Sequence, residues 1–428
     1  MTNKNDSNWE KLFEKHSILH KIEKNSSFTI HSSQINEFRE SRLMTKFDNK
    51  NNLPEIFKKH NLSILPISRG SYTISNFENY KEFNTESQPS IEYLEFPDNI
   101  QSIDFKNITS EATAVNCAYV SGILDHFLEE EDLLPTISGR MSSSKFSFTI
   151  NNTDNSKAPL YLDVNNAQIE IDGGYEGRNY LSLIEAKNSI SSNFIIRQLY
   201  YPFRCWENKV TKKIKLIFLV YTNGVFDLYE YQFEEPNNYN SLILVKHKKY
   251  SIEELEISIN TIEKILDKTD IISEPDIPFP QADSFERIIN LCELLNENIE
   301  LTKEEITNTY DFDKRQTDYY TNAGIYLGFI KKERSDVIKY SLTNKGQELF
   351  KENYIKRQLL FIRSILEHDV FHKTLSLYFK KADIPTKNEV IKIMRDCNVY
   401  NVNKEKTFSR RASTILSWIN WILSLSSK

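Results

Sequence analysis

Residues 171–188 read IDGGYEGRNYLSLIEAKN and place three ionisable side chains, Asp172, Glu185 and Lys187, in two otherwise apolar segments. Each segment is typical of a β-strand, and the polar residues between them predict a turn near Arg178 and Asn179, so that the strands form a hairpin. A buried strand normally excludes unpaired charge. The three ionisable groups therefore need either one another or a bound cation as partners.

Strand side chains alternate between the two faces, so the sequence predicts which of these charges meet. Glu170 faces the same way as Asp172, and Glu185 shares a face with Lys187. With the turn placed as above, an antiparallel register pairs Asp172 with Glu185 and Glu170 with Lys187. Two carboxylates then converge on one face, and a slip by two residues would keep the same faces.

Two carboxylates a few ångströms apart repel each other unless a cation lies between them. Mg²⁺ suits such ligands, because it binds through one or two carboxylates, waters and substrate phosphate. A neighbouring lysine can orient or help to deprotonate an attacking water, or stabilise charge on a phosphate. The hairpin therefore indicates phosphodiester hydrolysis by metal-activated water. The alternative is a pair of salt bridges on a solvated sheet face.

The same residues resemble a known family pattern. An Asp ending one strand, a Glu-x-Lys on the next, and a helix before and after them resemble the PD-(D/E)XK nuclease core. Here the motif is Asp172 and then Glu185-Ala186-Lys187, with Ile171 in the place usually held by proline, followed by the helix FIIRQLYYPFRCW. The resemblance implies that Asp172 and Glu185 are the metal ligands and that Lys187 is the catalytic lysine.

The resemblance also suggests supporting residues. Members often carry a Glu on the first core helix, and Glu111 is the candidate; its alternative is an acidic residue favoured by the helix dipole in a first turn. Gln198 resembles the Gln on the helix after the lysine strand of some such nucleases. Glu170 is the alternative to Asp172 as metal ligand, because both face the same way.

The chain of 428 residues, 39% of them hydrophobic, is long enough for about three domains. No apolar run reaches the roughly 18 residues of a membrane helix, and no signal peptide is recognised, so we expect an intracellular, cytoplasmic protein without a membrane partner. The four cysteines are far apart, which favours buried thiols over a zinc site or disulfides.

Composition and periodicity predict an α+β multidomain protein. Its expected parts are an N-terminal α+β domain with possible DNA contacts, a core in which a mixed sheet is flanked by helices, a domain of helices with a strand pair, and a basic helical C-terminal domain; the resemblance above implies that the core is restriction-endonuclease-like. Three prolines lie close together, at positions 275, 278 and 280, and they support a domain boundary between the core and the domain that follows it. The predicted bounds of these parts are residues 1–107, 108–272, 281–351 and 352–428.

Residues 301–350 resemble a winged helix domain: a short helix, a second helix near residues 313–327, and a strand pair joined by a KKERSD wing. In that fold the second helix enters the major groove of DNA. The resemblance therefore implies base contacts near the start of this helix and backbone contacts from the wing. The candidate residues are Lys314, Arg315, Gln316, Tyr319, Tyr320, Lys331, Lys332 and Arg334. The alternative is a winged helix that binds protein.

Further basic residues are candidates for DNA contact. Arg39, Arg42 and Lys46 have spacings that would place them on one face of a helix, either solvated or facing phosphates. Arg410 and Arg411 precede an apolar helix near the C-terminus, which we interpret as part of a second helix-turn-helix-like unit. The net charge of −6 argues against a uniformly basic nucleic-acid binder. The charge is, however, unevenly distributed: residues 251–310 hold 15 acidic and four basic residues, whereas residues 351–428 hold seven acidic and 15 basic residues. The C-terminal end is therefore the basic part of the chain.

These expectations combine into a Mg²⁺-dependent, sequence-specific endonuclease for double-stranded DNA that resembles type II restriction enzymes. A homodimer is expected during cleavage, since each chain has one site and DNA has two strands. A cognate DNA methyltransferase is expected in the same system. The alternatives are a transposon-end or repair nuclease of the same fold, or a non-catalytic winged helix regulator.

Overall fold

The computed structural model describes residues 4–83, 89–253, 256–309, 312, 314–334, 337–397, 399–400, 402 and 404–426. The chain forms two compact units. Unit 1 is Met1–Pro97, Ser110–Tyr221 and Val225–Tyr250, and unit 2 is Asp98–Thr109, Thr222–Gly224 and Ser251–Lys428. Among the described helices, none combines the length and the apolar character needed to cross a membrane.

Unit 1 begins with short helices around a three-stranded antiparallel sheet of order β1-β3-β2. Trp9, Phe13 and Phe57 form an edge-to-face aromatic cluster, and the Trp9 indole donates a hydrogen bond to the carbonyl of Met44. This burial gives the N-terminal segment a core of its own. The elements are α1 Lys4–His16, α2 Ile18–Asn25, β1 Phe28–His31, α3 Ser32–Asn36, α4 Ser41–Thr45, a 3₁₀ helix Lys50–Asn52, α5 Glu55–Lys59, β2 Ser63–Ser68 and β3 Ser71–Ser75.

The rest of unit 1 is built on a seven-stranded mixed sheet of order β5-β14-β13-β12-β10-β9-β6. Strand β9 is antiparallel to β6 and β10, and β10 is parallel to β12, so a crossover helix, α8, joins that parallel pair. The elements are β4 Tyr80–Glu82, β5 Ile91–Tyr93, α6 Glu111–Val120, α7 Ile123–Leu128, β6 Leu134–Ser142, β7 Phe146–Ile150, β8 Leu160–Val164, β9 Gln168–Glu176, β10 Tyr180–Lys187, β11 Asn193–Ile195, α8 Arg197–Trp206, β12 Lys213–Thr222, β13 Val225–Phe233 and β14 Leu242–Ser251.

Two helices pack on the strands that carry the charged motif: α6 and α8 both contact β9 and β10. The sequence predicts one amphipathic helix from residue 110 to about residue 131, but the structure divides it into α6 and α7. The division falls at Gly122, whose φ of 76° lies in the left-handed region that glycine adopts without steric cost. The apolar residues of α6 and α7 are nevertheless buried, as expected for one amphipathic helix.

Unit 2 is mainly helical and contains a three-stranded sheet of order β15-β17-β16. One hydrophobic cluster runs through its helices and reaches the tryptophans of the last one. The elements are α9 Ile259–Lys268, α10 Phe285–Glu297, β15 Leu301–Thr302, α11 Lys303–Thr309, α12 Lys314–Tyr326, β16 Ile330–Arg334, β17 Ile338–Leu342, α13 Asn344–Leu349, α14 Tyr354–Leu366, α15 Asp369–Lys381, α16 Lys387–Asp396 and α17 Glu405–Ser424.

The predicted mixed sheet and the α+β multidomain class are confirmed. One detail of unit 2 differs from the prediction: Lys331, Lys332 and Arg334 belong to strand β16 instead of the expected wing loop, because they pair with β17. The remaining residues of that expected loop, Ser335 and Asp336, lie outside the described residues.

Candidate active site

Strands β9 and β10 bring the carboxylates of the motif together. Their paired positions run from Leu181 with Glu176 to Ile184 with Gly173, which is the predicted register. Beyond this point the backbone pairing of the two strands ends. The side chain of Asp172 takes over the contact between them, since its Oδ2 accepts a hydrogen bond from the backbone N–H of Ala186 at 2.8 Å. The end of the strand pairing thus fixes Asp172 beside Glu185.

Glu185 is buried, with 8% of its surface exposed, and is held by two donors. Lys187 Nζ and Gln198 Nε2 each lie 2.5 Å from its Oε1. Burial raises the pKa of Glu185 to about 8; Lys187 opposes the shift, and the charge of Asp172 adds to it. A carboxylate in this position is stabilised by any additional positive charge.

Lys187 lies among carboxylates. Its Nζ also donates to the carbonyl of Ala186 at 2.9 Å and is 3.7 Å from Oε1 of Glu111. Burial alone would lower the pKa of Lys187, but the negative charges of Glu185, Glu111, Asp48 and Asp172 together raise it. The side chain therefore stays protonated, and it can offer a positive charge to an anionic group but does not act readily as a base.

Glu111 reaches the site from the first turn of α6. Ser110 caps this helix, since its Oγ accepts a hydrogen bond from the Thr113 N–H at 3.1 Å. Partial burial raises the pKa of Glu111; Lys187 opposes that shift and Asp172 adds to it. The predicted candidates Asp172, Glu185, Lys187, Glu111 and Gln198 thus form one cluster.

The alternative ligand, Glu170, takes a different position. It lies opposite Arg140 of β6 in the sheet, and Arg140 Nε donates to its Oε1 at 3.1 Å. The predicted pairing of Glu170 with Lys187 does not form, because the pairing of β9 with β10 ends at Gly173. Asp172 is therefore the carboxylate of β9 that belongs to the cluster.

Sequence patterns did not identify one acidic residue near the cluster. Asp48 lies close enough to Lys187, Glu185 and Glu111 to act electrostatically on all three. Its backbone carbonyl accepts a hydrogen bond from the N–H of Ile195 in β11 at 2.9 Å. No local pattern could have identified Asp48, because its position depends on the packing of the N-terminal segment against β11.

The oxygen atoms of the cluster fit a hard cation such as Mg²⁺. Oε2 of Glu185 and Oδ1 of Asp172 receive no hydrogen bond from the described residues, and the buried Oε1 of Gln198 also lacks a partner. No group of three or more His, Cys, Asp or Glu residues in the described part of the chain is arranged to hold a metal. Two carboxylates are, however, enough for Mg²⁺ when waters and a substrate phosphate complete its shell.

The predicted DNA contacts of unit 2 have different exposures. Arg315 is exposed at the start of α12, Gln316 and Tyr319 are half-buried, and the side chain of Lys314 lies outside the described residues. Tyr320 is buried and stacks on Phe312 with ring centroids 4.6 Å apart, so it is a core residue instead of the expected DNA contact. Basic side chains on β16 are exposed: Lys331, Lys332 and Arg334.

The basic residues predicted to share one helical face do not do so. Helix α4 spans only Ser41–Thr45, so Arg39 precedes it and Lys46 follows it. Arg39 instead donates a hydrogen bond to Asn5 at 2.7 Å, whereas Arg42 is exposed on α4. Lys46 lies 3.6 Å from Asp48 in an ion pair, which places it near the candidate site.

The arginine pair of α17 also differs from the prediction. Arg410 is exposed and donates to Oε1 of Gln281 at 2.8 Å. The sequence suggests a surface position for Arg411, but its side chain is only 8% exposed.

Three family models match successive parts of the chain, each described as a domain of unknown function. DUF6996 matches residues 6–74, DUF6997 matches residues 75–251 and DUF7226 matches residues 287–427. No curated protein and no solved structure matches the chain. The five clustered candidates fall within the DUF6997 segment, and Asp48 falls within the DUF6996 segment.

Proposed function

We propose that the protein is a Mg²⁺-dependent endonuclease of the PD-(D/E)XK type that cuts double-stranded DNA at specific sequences, as type II restriction enzymes do. The observation that carries this proposal is the contact of Lys187 with Glu185 beside Asp172 and Glu111. A structural ion pair needs one carboxylate for one ammonium group. The additional acidic groups repel one another, which is costly in a folded protein unless a cation binds there.

In this proposal Asp172 and Glu185 would hold Mg²⁺. When bound, the ion activates water and neutralises charge that develops on the phosphate. Because Lys187 stays protonated, its positive charge stabilises the negative charge on the phosphoryl oxygens in the transition state. Gln198 fixes the orientation of Glu185 by donating to its Oε1.

The arrangement of unit 2 supports the proposed DNA reader. Helices α11 and α12 are followed by the hairpin of β16 and β17, as in the winged helix pattern. The exposed Arg315 stands where a groove-binding helix contacts base edges, and Lys331 and Lys332 lie on an exposed strand. We further propose a homodimer on DNA and a cognate methyltransferase that protects the same sequence.

The test is incubation of the purified full chain with a large unmethylated DNA, in Mg²⁺ or in EDTA, followed by sequencing of the fragment ends. We expect discrete ends that require Mg²⁺ and that are lost in Glu185→Gln. The matched control is Glu234→Gln, which neutralises an exposed carboxylate of the same unit. Ends at scattered sequences would favour a repair nuclease.

The non-catalytic regulator gives a different result in the same experiment. A regulator would bind DNA but would not cut any of the DNA molecules tested. Substitution of Glu185 would then change none of its activities. Cleavage that disappears in Glu185→Gln while DNA binding in EDTA is retained would exclude this alternative.

A further inference from the structure

Helix α17 contains a buried arginine whose charge is not matched. Arg411 is 8% exposed, and its Nε and Nη1 atoms have no hydrogen-bond partner among the residues that the structure describes. Buried guanidinium groups are normally paired with a carboxylate or with several acceptors, because an unpaired buried charge destabilises the fold. Nε and Nη1 of Arg411 are therefore two buried donors to which the described residues offer no acceptor.

The surroundings of Arg411 do not compensate for this charge. Asp283 influences Arg411 electrostatically, but its Oδ1 already accepts a hydrogen bond from the Thr414 hydroxyl at 2.8 Å. Burial and the adjacent charge of Arg410 lower the pKa of Arg411 to about 10, so the group remains charged at neutral pH. Tyr319 of α12 is the other polar group with which Arg411 interacts.

We propose that Arg411 and Arg410 of α17, together with Tyr319 of α12, form a binding site for a phosphoryl group. A phosphate offers several acceptor oxygens and a negative charge, and guanidinium groups bind it more strongly than they bind neutral acceptors. Two sources share this chemistry: a phosphate of the DNA backbone and a free phosphate compound. The site does not depend on the proposed nuclease activity.

Inorganic phosphate is the first probe. Chloride is replaced by phosphate at constant ionic strength, and the thermal unfolding of the full chain is followed. The wild type is expected to gain stability with phosphate, and Arg411→Met is expected to lose at least about tenfold in phosphate affinity, as for the loss of charge-assisted hydrogen bonds. In chloride alone, Arg411→Met is expected to be at least as stable as the wild type, because it removes an uncompensated buried charge.

The matched control is Arg363→Met, which removes an exposed arginine of α14 and leaves the phosphate response unchanged. If Arg411→Met does not fold, Arg411→Lys and Arg410→Gln give the same readout, each with a weaker phosphate response than the wild type.

A short duplex DNA distinguishes the two sources. If the ligand is a backbone phosphate, Arg411→Met lowers the slope of log K against log salt concentration by about one. If the ligand is a free phosphate compound, DNA binding is unchanged while the response to inorganic phosphate is lost. The proposal is overturned if Arg411→Met equals the wild type in both its phosphate response and its DNA binding.

Discussion

Lys187 keeps its positive charge because Glu185, Glu111, Asp48 and Asp172 outweigh the effect of burial. An ammonium group that holds its proton acts on a phosphate by electrostatic stabilisation, which is effective in a site with little water. The position of Lys187, two residues after Glu185 on the same strand, lets both side chains reach one point. At the scale of single residues, the proposed chemistry therefore rests on charge placement.

Replacement of this lysine tests its role. We expect Lys187→Ala to lower the cleavage rate at saturating DNA by about 10²- to 10³-fold, as for the removal of one electrostatic stabiliser of a transition state. DNA affinity measured in EDTA should change little. Lys213→Ala, at the exposed start of β12, is the control and should cleave normally. Cleavage by Lys187→Ala at the rate of the wild type would contradict the assignment.

Asp48 should act through Lys187. We expect Asp48→Asn to slow cleavage about fivefold to tenfold, in line with the loss of about 1 kcal/mol of interaction between charges near a protein surface. In the Lys187→Ala background the same substitution should have a clearly smaller effect, because the charge of Lys187, with which Asp48 interacts, is then absent; the double-mutant cycle measures this coupling.

The control for this cycle is Glu55→Gln, an exposed acidic residue of the same N-terminal segment. Additive effects of Asp48→Asn and Lys187→Ala would show that Asp48 acts independently of the lysine.

At the scale of elements, two glycines of β9 allow close packing around the site. A Cβ at Gly173 would lie 2.9 Å from Val115 Cγ1 of α6, and a Cβ at Gly174 would lie 2.6 Å from the Cβ of Ile137 in β6. These distances are shorter than side chains tolerate. Helix α6 and strand β6 can therefore approach β9 only because both positions lack a side chain.

Addition of a methyl group at Gly174 should consequently destabilise unit 1. We expect Gly174→Ala to lower the free energy of unfolding by about 1–3 kcal/mol, as for other overpacked sites. Gly70→Ala is the matched control, because its Cβ would meet only the Ser32 hydroxyl, at 3.3 Å, which can rotate away. Equal stability of the two variants in urea unfolding would contradict this account of the β9 packing.

The helix cap at Ser110 links the stability of α6 to the position of Glu111. We expect Ser110→Ala to cost about 1 kcal/mol of stability and also to reduce cleavage, because the first turn of α6 carries a site residue. The comparison is Ser258→Ala, which removes the same kind of cap from α9 in unit 2. It should cost similar stability without affecting cleavage at saturating DNA, and a loss of cleavage in both variants would point to general destabilisation.

At the scale of the whole molecule, the proposed functions are divided between the two units. The candidate active site lies in unit 1, whereas the proposed DNA reader and the basic C-terminal segment lie in unit 2. With a net charge of −6, the proposed binding to DNA would depend on local basic surfaces instead of the overall charge. Exposed lysines of β16 form one such surface.

Salt dependence of binding tests this surface. We expect Lys332→Ala to weaken DNA binding similarly for all sequences and to lower the slope of log K against log salt concentration by about one. Its cleavage rate at saturating DNA should be close to that of the wild type. Lys351→Ala, which removes an exposed lysine paired with Glu348, should leave the slope unchanged. An unchanged slope in Lys332→Ala would argue against DNA contact through β16.

The sequence by itself determined the local features: the β9–β10 hairpin, its register and the presence of a mixed sheet. Alternation of side chains and turn chemistry act over a few residues, so they can be recognised without the rest of the fold. It also located Asp172, Glu185 and Lys187, because these residues lie on adjacent strands of one hairpin. The break at Gly122 was missed, because the apolar periodicity continues across it.

Only the tertiary structure decided which distant residues join the site. Asp48 approaches Lys187 through the packing of the N-terminal segment on β11, Glu170 accepts a hydrogen bond from Arg140 of β6, and Arg411 is buried in α17. Hydrophobic burial brings these residues together, and it depends on how whole surfaces fit against each other, not on which residues are adjacent in the sequence. Sequence periodicity contains no information on which polar residue such packing encloses.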